Sequence, residues 1–179
     1  MATSKSLVSS LFFFISVLLL SSSLLIINPV YSLNRRVLSP LPPSISTFLN
    51  PHNKIRAQYG LKPLKWSSTL ANYAKWYAKQ RRGDCKLIHS NSNYGENIFW
   101  GEGKRWMPAD AISEWVAEKS YYNYKSNRCM PNQECLHYTQ LVWKSTLSVG
   151  CAKIICTTGD TFITCNYDPH GNVVGQKPY

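Results

Sequence analysis

Few residues in this chain have side chains suited to chemistry. There are four histidines, His52, His89, His137 and His170, and six cysteines. His137 lies in "CLHYTQLVWKSTLSVGC", among aromatic, amide and apolar residues, where an imidazole can be a general base, a metal ligand or a packing group. Which of these it is depends on the polar groups that the fold brings to it. No HExxH is present, so the paired helical ligands of a metalloprotease are missing. No CxxC is present, which argues against a zinc ribbon. Thr139 and Ser145 supply hydroxyls close by in sequence, but no neighbour marks either as an activated nucleophile, and both read as hydrogen-bond partners. No catalytic residue is assigned. His89, in "LIHS", reads as a loop histidine bonded to backbone, and His170, in "DPHGN", as a solvent-facing turn residue.

The cysteines set the compartment. Cys85, Cys129, Cys135, Cys151, Cys156 and Cys165 all follow an N-terminal stretch built like a secretory signal. Lys5 supplies its positive start, "LFFFISVLLLSSSLLII" its apolar run, and "VYS" at 30–32 the small residues before cleavage. The run is long enough for a retained anchor, but its serines and the cleavage pattern favour removal. An even cysteine count behind a leader reads as three disulfides, with 15 pairings open. Residues 33–46, "LNRRVLSPLPPSIS", read as a Pro/Ser-rich linker, and residues 47–179 as one domain with one core. The formal net charge is +11, with the basic residues dispersed. That favours contact with anionic cell walls or membranes and is not a nucleic-acid footprint.

The elements that must position these residues follow from the pattern. "TFLNPHNKIRAQYG" predicts a first helix with Asn50 as N-cap, Pro51 in the first turn and Gly60 at the stop, placing His52 near its positive end. "WSSTLANYAKWYAKQRRGDC" predicts a helix capped by Ser67 or Ser68, with Leu70, Ala71, Ala74, Tyr77 and Ala78 on one apolar face. "LIHSNSNYGENIFWGEGKRW" reads as loop. "MPADAISEWVAEKSYYNY" starts another helix, with Ala111, Trp115, Glu118 and Tyr122 at helical spacing. "YTQLVW" is helix or strand, undecided by periodicity. "SVGCAKIIC" and "TFITCNYD" around "TTGD" predict a β-hairpin. Helices first and a hairpin last give an α+β or layered αβα class.

Taken in order, "PHNKIRAQYGLKPLKW", "YGENIFWG", "EWVAEKSYYNY", "CLHYTQLVWKSTLSVGC" and "CNYDPHGNVVGQKPY" closely resemble the class 1 plant pathogenesis-related proteins of the CAP superfamily. The resemblance covers nearly the whole domain. It implies a three-layer αβα sandwich with an antiparallel sheet. It implies the pairs Cys85–Cys156, Cys129–Cys135 and Cys151–Cys165. It also implies a central cavity with two histidines and two glutamates, matched here to His52, Glu96, Glu118 and His137. Two neutral imidazoles are good Zn²⁺ ligands, and carboxylates can ligate or orient them. The competing reading is a buried polar network that holds the layers together. No cofactor is expected to be required, and a divalent cation such as zinc is the ion such a set would accept. A metal-bound water there would permit hydrolysis, which ranks below a binding role.

Two further expectations come from the resemblance. The region of Trp115, Tyr121, Tyr122 and Tyr124, followed by the Cys129–Cys135 loop, matches the family's sterol-binding region, where flat rings suit a rigid ligand. The last eleven residues match a peptide that related plant proteins release by a cut between Asp168 and Pro169, and a tail with two Pro and two Gly predicts loose order. The combined expectation is a secreted, apoplastic, monomeric defence protein. It binds sterol or another lipid, meets anionic wall or membrane surfaces, and has no nucleic-acid partner. No N-x-S/T sequon is present.

Overall fold

The computed structural model describes residues 41–179; the leader and residues 33–40 lie outside the described residues. In chain order the elements are α1 (Pro43–Ala57), β1 (Lys65–Trp66), α2 (Ser68–Gln80), β2 (Gly95–Gly101), α3 (Pro108–Ala117), β3 (Tyr122–Asn123), β4 (Arg128–Cys129), α4 (Leu136–Leu141), β5 (Ser148–Ile155) and β6 (Thr161–Asp168). One turn of 3₁₀ helix, Glu118–Tyr121, follows α3. The sheet order is β1-β5-β6-β2, with β1 parallel to β5 and the other neighbours antiparallel. Strand alternation separates the two faces. Val149, Cys151, Ile163, Cys165 and Tyr167 pack with α1, α3 and α4, while Ala152 and Phe162 pack with α2. The result is the αβα sandwich, closed by Cys85–Cys156, Cys129–Cys135 and Cys151–Cys165. Among the described residues no helix is long and apolar enough to cross a membrane.

Three expectations change. Helix α1 begins at Pro43, so part of the expected linker is helical, and Pro51 lies inside the helix instead of opening it. Pro51 removes the N–H that would reach the carbonyl of Thr47, an exposed residue whose oxygen water can satisfy. The helix gains the burial of Phe48 and Leu49, which a later start would leave outside it. "GENIFWG" is the edge strand β2 and not loop; all seven of its residues pair with β6. "LHYTQL" is the helix α4. Helix α2 matches its expectation, and the Ser67 side chain accepts from the Leu70 N–H. The hairpin β5–β6 also matches.

Arg56, on the buried face of α1, is fully enclosed. Its Nε donates to the Lys62 carbonyl at 2.9 Å. Its two terminal nitrogens donate to Leu141 at 3.0 Å, Trp143 at 2.8 Å and Thr146 at 3.0 Å. Burial pulls its pKa from 12.5 down to about 10, so it stays charged at neutral pH. One side chain therefore ties α1 to the end of α4 and to the loop that feeds β5. Arg56→Met would remove a charged donor from four carbonyls, of which that of Trp143 keeps the Thr146 N–H at 3.2 Å. We expect a loss of about 3–5 kcal/mol of unfolding free energy in guanidinium chloride with the disulfides intact. A loss under about 1 kcal/mol would show that the carbonyls find other partners.

Candidate functional site

Two histidine–carboxylate pairs flank β2. On one side, Glu118, at the C-terminal end of α3, points its Oε1 at His137 Nδ1, 2.6 Å away. Its Oε2 accepts from the N–H groups of His137 and Tyr138 at 3.0 and 3.2 Å, so the same carboxylate caps α4 and orients the ring. The ring stacks on Trp115, with 12° between planes and 6.1 Å between centroids. Trp115 is in turn held by its indole N–H, which donates to the Ile98 carbonyl of β2. The neighbouring residue Asn97 donates to the His137 carbonyl at 3.0 Å.

On the other side, Glu96 gathers the segment before β2. Its Oε1 accepts from His89 Nδ1 and from the Ser90 N–H, both at 2.8 Å. Its Oε2 accepts from the Ser90 hydroxyl at 2.6 Å and from Asn166 of β6 at 3.3 Å. Glu96 is almost covered, with 5% of its side chain exposed, whereas His89 is 60% exposed. In both pairs Nδ1 is committed to a carboxylate, and Nε2 is the nitrogen left to face a ligand.

His52 does not join these groups, which corrects the matched tetrad. It sits on the buried face of α1, completely enclosed. Its Nδ1–H donates to the Phe48 carbonyl at 2.8 Å, and its Nε2 accepts from the Tyr167 hydroxyl at 2.9 Å. Both nitrogens are spent on packing α1 against β6. Among the described residues, the one group of three whose ligating atoms lie within 4.8 Å of one another is His52, Cys151 and Cys165. Those sulfurs are joined in a disulfide and are not thiolate ligands. The histidine that the structure gives to Glu96 is His89. Nothing in its spacing marks it, since it lies in loop seven positions before Glu96.

A cleft of about 460 Å³ lies beside the His137 pair, lined by Leu87, Ile98, Trp100, Trp115, Glu118 and His137. His89 and Glu96 do not line it, but Leu87 and Ile98, each two residues away from one of them, do. The arrangement can offer imidazole nitrogens and carboxylates to a cation. The Ser90 hydroxyl is held by Glu96, and the hydroxyl next to His137 in sequence is not free to act as a nucleophile. The Thr139 hydroxyl is taken up by the Cys135 and Leu136 carbonyls at 3.2 Å and by Asn172 at 2.6 Å.

A second cleft, of about 480 Å³, is formed by the loop that Cys129–Cys135 closes; Tyr121, Tyr122, Arg128, Met130 and Pro131 line it. Of the four aromatic residues expected at a sterol site, Tyr121 and Tyr122 are there. Trp115 is buried behind His137, and Tyr124 stacks on Tyr179 at 4.9 Å. The last eleven residues are tied down, against the expectation of loose order. The Pro169 carbonyl accepts from Thr146, the Gly171 N–H donates to the buried Gln140, and the Lys144 N–H donates to the Pro178 carbonyl. Gly171 lies so close to Gln140 and Trp143 that a Cβ would meet them at 2.8 Å. The Tyr179 ring packs on Tyr59 at 4.7 Å, and its hydroxyl meets that of Tyr138 at 3.1 Å.

Electrostatics separates His52 from His89. Burial, with a smaller contribution from the Arg56 charge and against the pull of the Phe48 carbonyl, lowers the His52 pKa from 6.5 to about 4. The hydrogen bond to Glu96 raises the pKa of His89. Burial alone would raise the pKa of Glu96, but the bonds from His89 and Ser90 outweigh it and leave the carboxyl below its usual value.

Comparison with known proteins agrees with this architecture. The family model described as "CAP: Cysteine-rich secretory protein family" matches residues 49–167. The pathogenesis-related protein PR-1 of Medicago truncatula is 57% identical over 133 residues, 74% of this chain and 77% of that one. Pathogenesis-related protein 1 of Arabidopsis thaliana is 48% identical over 132 residues, 74% of this chain and 80% of its own length. The structure of Schistosoma mansoni venom allergen-like protein 4 superposes with a TM-score of 0.60 at 30% identity, covering 74% of this chain and 90% of that one.

The two perturbed histidines act on stability in opposite directions. His52 stays neutral in the folded protein until about pH 4, whereas the unfolded chain takes up that proton near 6.5. Its contribution is therefore whole above pH 6.5 and is lost as pH falls toward 4, about 2 kcal/mol of it between pH 6.5 and 5. The His89 contribution runs the other way: it is full below 6.5 and lost as pH rises through the raised folded value. Guanidinium unfolding at pH 6.5 and pH 5 should show a smaller acid loss in His52→Gln than in the parent. Equal losses in the two proteins would exclude His52 as the source.

Proposed function

The chain belongs to the CAP family and to its plant pathogenesis-related class 1 group, and on that basis we propose that it is a secreted, apoplastic defence protein that binds sterol outside the cell. The observation that carries the reading is the cleft of the Cys129–Cys135 loop. Its volume of about 480 Å³ lies in the range of small-molecule sites, and it combines flat apolar rings with a few polar groups. Met130 is 54% exposed and Tyr121 is 38% exposed. Exposed apolar surface of this kind is expected where a ligand completes the packing. The Tyr122 hydroxyl is already donated to Asn127 at 2.6 Å and that of Ser120 to the Ala117 carbonyl at 3.0 Å, so the Asn123 amide N–H groups and the Arg128 guanidinium are the donors left for a sterol hydroxyl. The excess of basic residues supports contact with anionic wall or membrane surfaces. We propose a monomer with no nucleic-acid partner and no required cofactor. A divalent cation such as zinc would be taken by His137 and His89 with Glu118 and Glu96, where the imidazole Nε2 atoms would ligate and the carboxylates hold the rings. The Thr139 hydroxyl beside His137, spent on the Cys135 and Leu136 carbonyls and on Asn172, supports a binding role over a hydrolytic one at that pair.

A second reading, a precursor of a peptide spanning residues 169–179, is favoured by the exposed side chains of Asp168 and Pro169. The bonds that hold the tail change what a cut there would do. Cleavage alone would give a nicked protein with the peptide still docked through Gly171, Pro178 and Tyr179.

Two measurements test these readings. Titration of the mature protein with a fluorescent sterol should saturate, and Tyr121→Ala should weaken binding about tenfold, the equivalent of about 1.4 kcal/mol. The sterol claim fails if no saturable binding is seen. A protein with an engineered protease site between residues 168 and 169 should, once cut, elute from a sizing column with its eleven-residue peptide still attached. Free peptide under native conditions would mean that the docking is too weak to retain it.

A further inference from the structure

The outer edge of β5 is covered for only part of its length. Strand β1 pairs with Ser148 and Val149. The Leu147 and Val149 carbonyls accept from the N–H groups of Lys65 and Ser67. The chain then turns away into α2, whose first turn closes over Gly150 so tightly that a Cβ there would lie 2.1 Å from the Ala71 nitrogen. Among the described residues no strand continues along that side of β5.

Backbone groups alternate along a strand, so Cys151, Lys153 and Ile155 turn their N–H and C=O groups to the same side as the Leu147 and Val149 carbonyls, away from β6. The Cys151–Cys165 pair supports this parity. Its Cα atoms face each other across β5 and β6 at 4.0 Å, the close spacing of a pair that exchanges no backbone bonds. Along this edge runs a groove of about 670 Å³. One wall is apolar, with Ile45 and Phe48 of α1 and Met107 at the start of α3. The other is α2, which presents Lys75 and Lys79. Among the described residues no acidic one lines the groove.

Edge strands are commonly protected by a lysine that stands across them. Lys153 is placed for that task, but its ammonium donates to the Trp106 carbonyl and is held on the α3 side. We propose that this edge takes an acidic peptide segment of a partner protein as an added β-strand, bonded to the backbone of Cys151, Lys153 and Ile155. Side chains of an added strand alternate between its two faces. One set meets the apolar wall and the other meets Lys75 and Lys79, so the pattern recognised is alternating apolar and acidic residues.

Other occupants fit less well. A second copy of the chain carries the same positive charge, and the chain's own residues 33–40 bring Arg35 and Arg36 to a cationic rim. An apolar amphiphile would fill the groove but satisfy none of the outward backbone groups.

The probe is a fluorescein-labelled peptide of sequence Val-Glu-Val-Glu-Val-Glu-Val, titrated into the mature protein. Saturable binding is expected, at least tenfold weaker for a Lys75→Glu/Lys79→Glu variant with unchanged melting temperature. Binding should be lost when the alternate backbone amides that face β5 are N-methylated. The amides of Cys151, Lys153 and Ile155 should gain hydrogen-exchange protection in the complex. The proposal is overturned if the peptide does not bind, if the N-methylated peptide or a Val-Lys analogue binds as well, or if palmitate alone occupies the groove and protects no amide.

Discussion

The interaction on which the rest depends is the buried guanidinium of Arg56. Among the described residues it has no carboxylate partner, and it meets its desolvation cost through backbone carbonyls, those of Lys62, Leu141, Trp143 and Thr146. Charge-assisted bonds of this kind are about twice as strong as neutral ones, and only the Trp143 carbonyl has a second donor shown here, the Thr146 N–H at 3.2 Å. The four carbonyls belong to the turn after α1, the end of α4 and the loop before β5. Helix α4 is only six residues long and could not hold its own position. Arg56 fixes its C-terminal end, Glu118 fixes its N-terminal end, and the His137 ring is set between those two clamps.

The same clamp explains why the tail is ordered. Thr146, whose carbonyl serves Arg56, gives its hydroxyl to the Pro169 carbonyl, and Gln140 of α4 bonds both Thr146 and Gly171. The eleven residues after β6 lie on a surface that the buried arginine has already made rigid. The two glycines and two prolines that suggest looseness in sequence act here in the opposite sense. Gly171 permits close approach to Gln140 and Trp143, and Pro178 offers a carbonyl that the Lys144 N–H takes.

Much of the fold is legible in the residues because local and long-range preferences agree there. Helix α2 carries its cap, its apolar stripe and its basic end in one segment, and the hairpin carries its turn. The failures occur where tertiary contacts overrule local signals. Pro51 opens a helix by local rules, yet α1 starts earlier because Phe48 and Leu49 must reach the core. Residues Gly95–Gly101 read as loop because of the Asn, Ser and Gly around them, but their pairing with β6 makes them a strand. Arg56 could have been anticipated, since it lies four residues after His52 and seven after Leu49, on the stripe that α1 buries. Sequence gives no hint of its four acceptors, which lie up to 90 residues away.

The exchange of His52 for His89 turns on what a histidine needs in order to act. A ligand or base must keep one ring nitrogen free and reachable, with the other oriented by a partner. His52 stands early on a helix in an apolar stripe, so its surroundings consume both nitrogens and hold the ring neutral. His89 stands in a loop, which sequence reasoning treats as unimportant, yet exposure is what leaves its second nitrogen available once Glu96 has taken the first. The carboxylates were readable because each sits in a distinctive segment, "YGEN" and "EWVAE". Their histidine partners were half readable, since residue type alone does not distinguish an imidazole that closes a core from one that faces solvent.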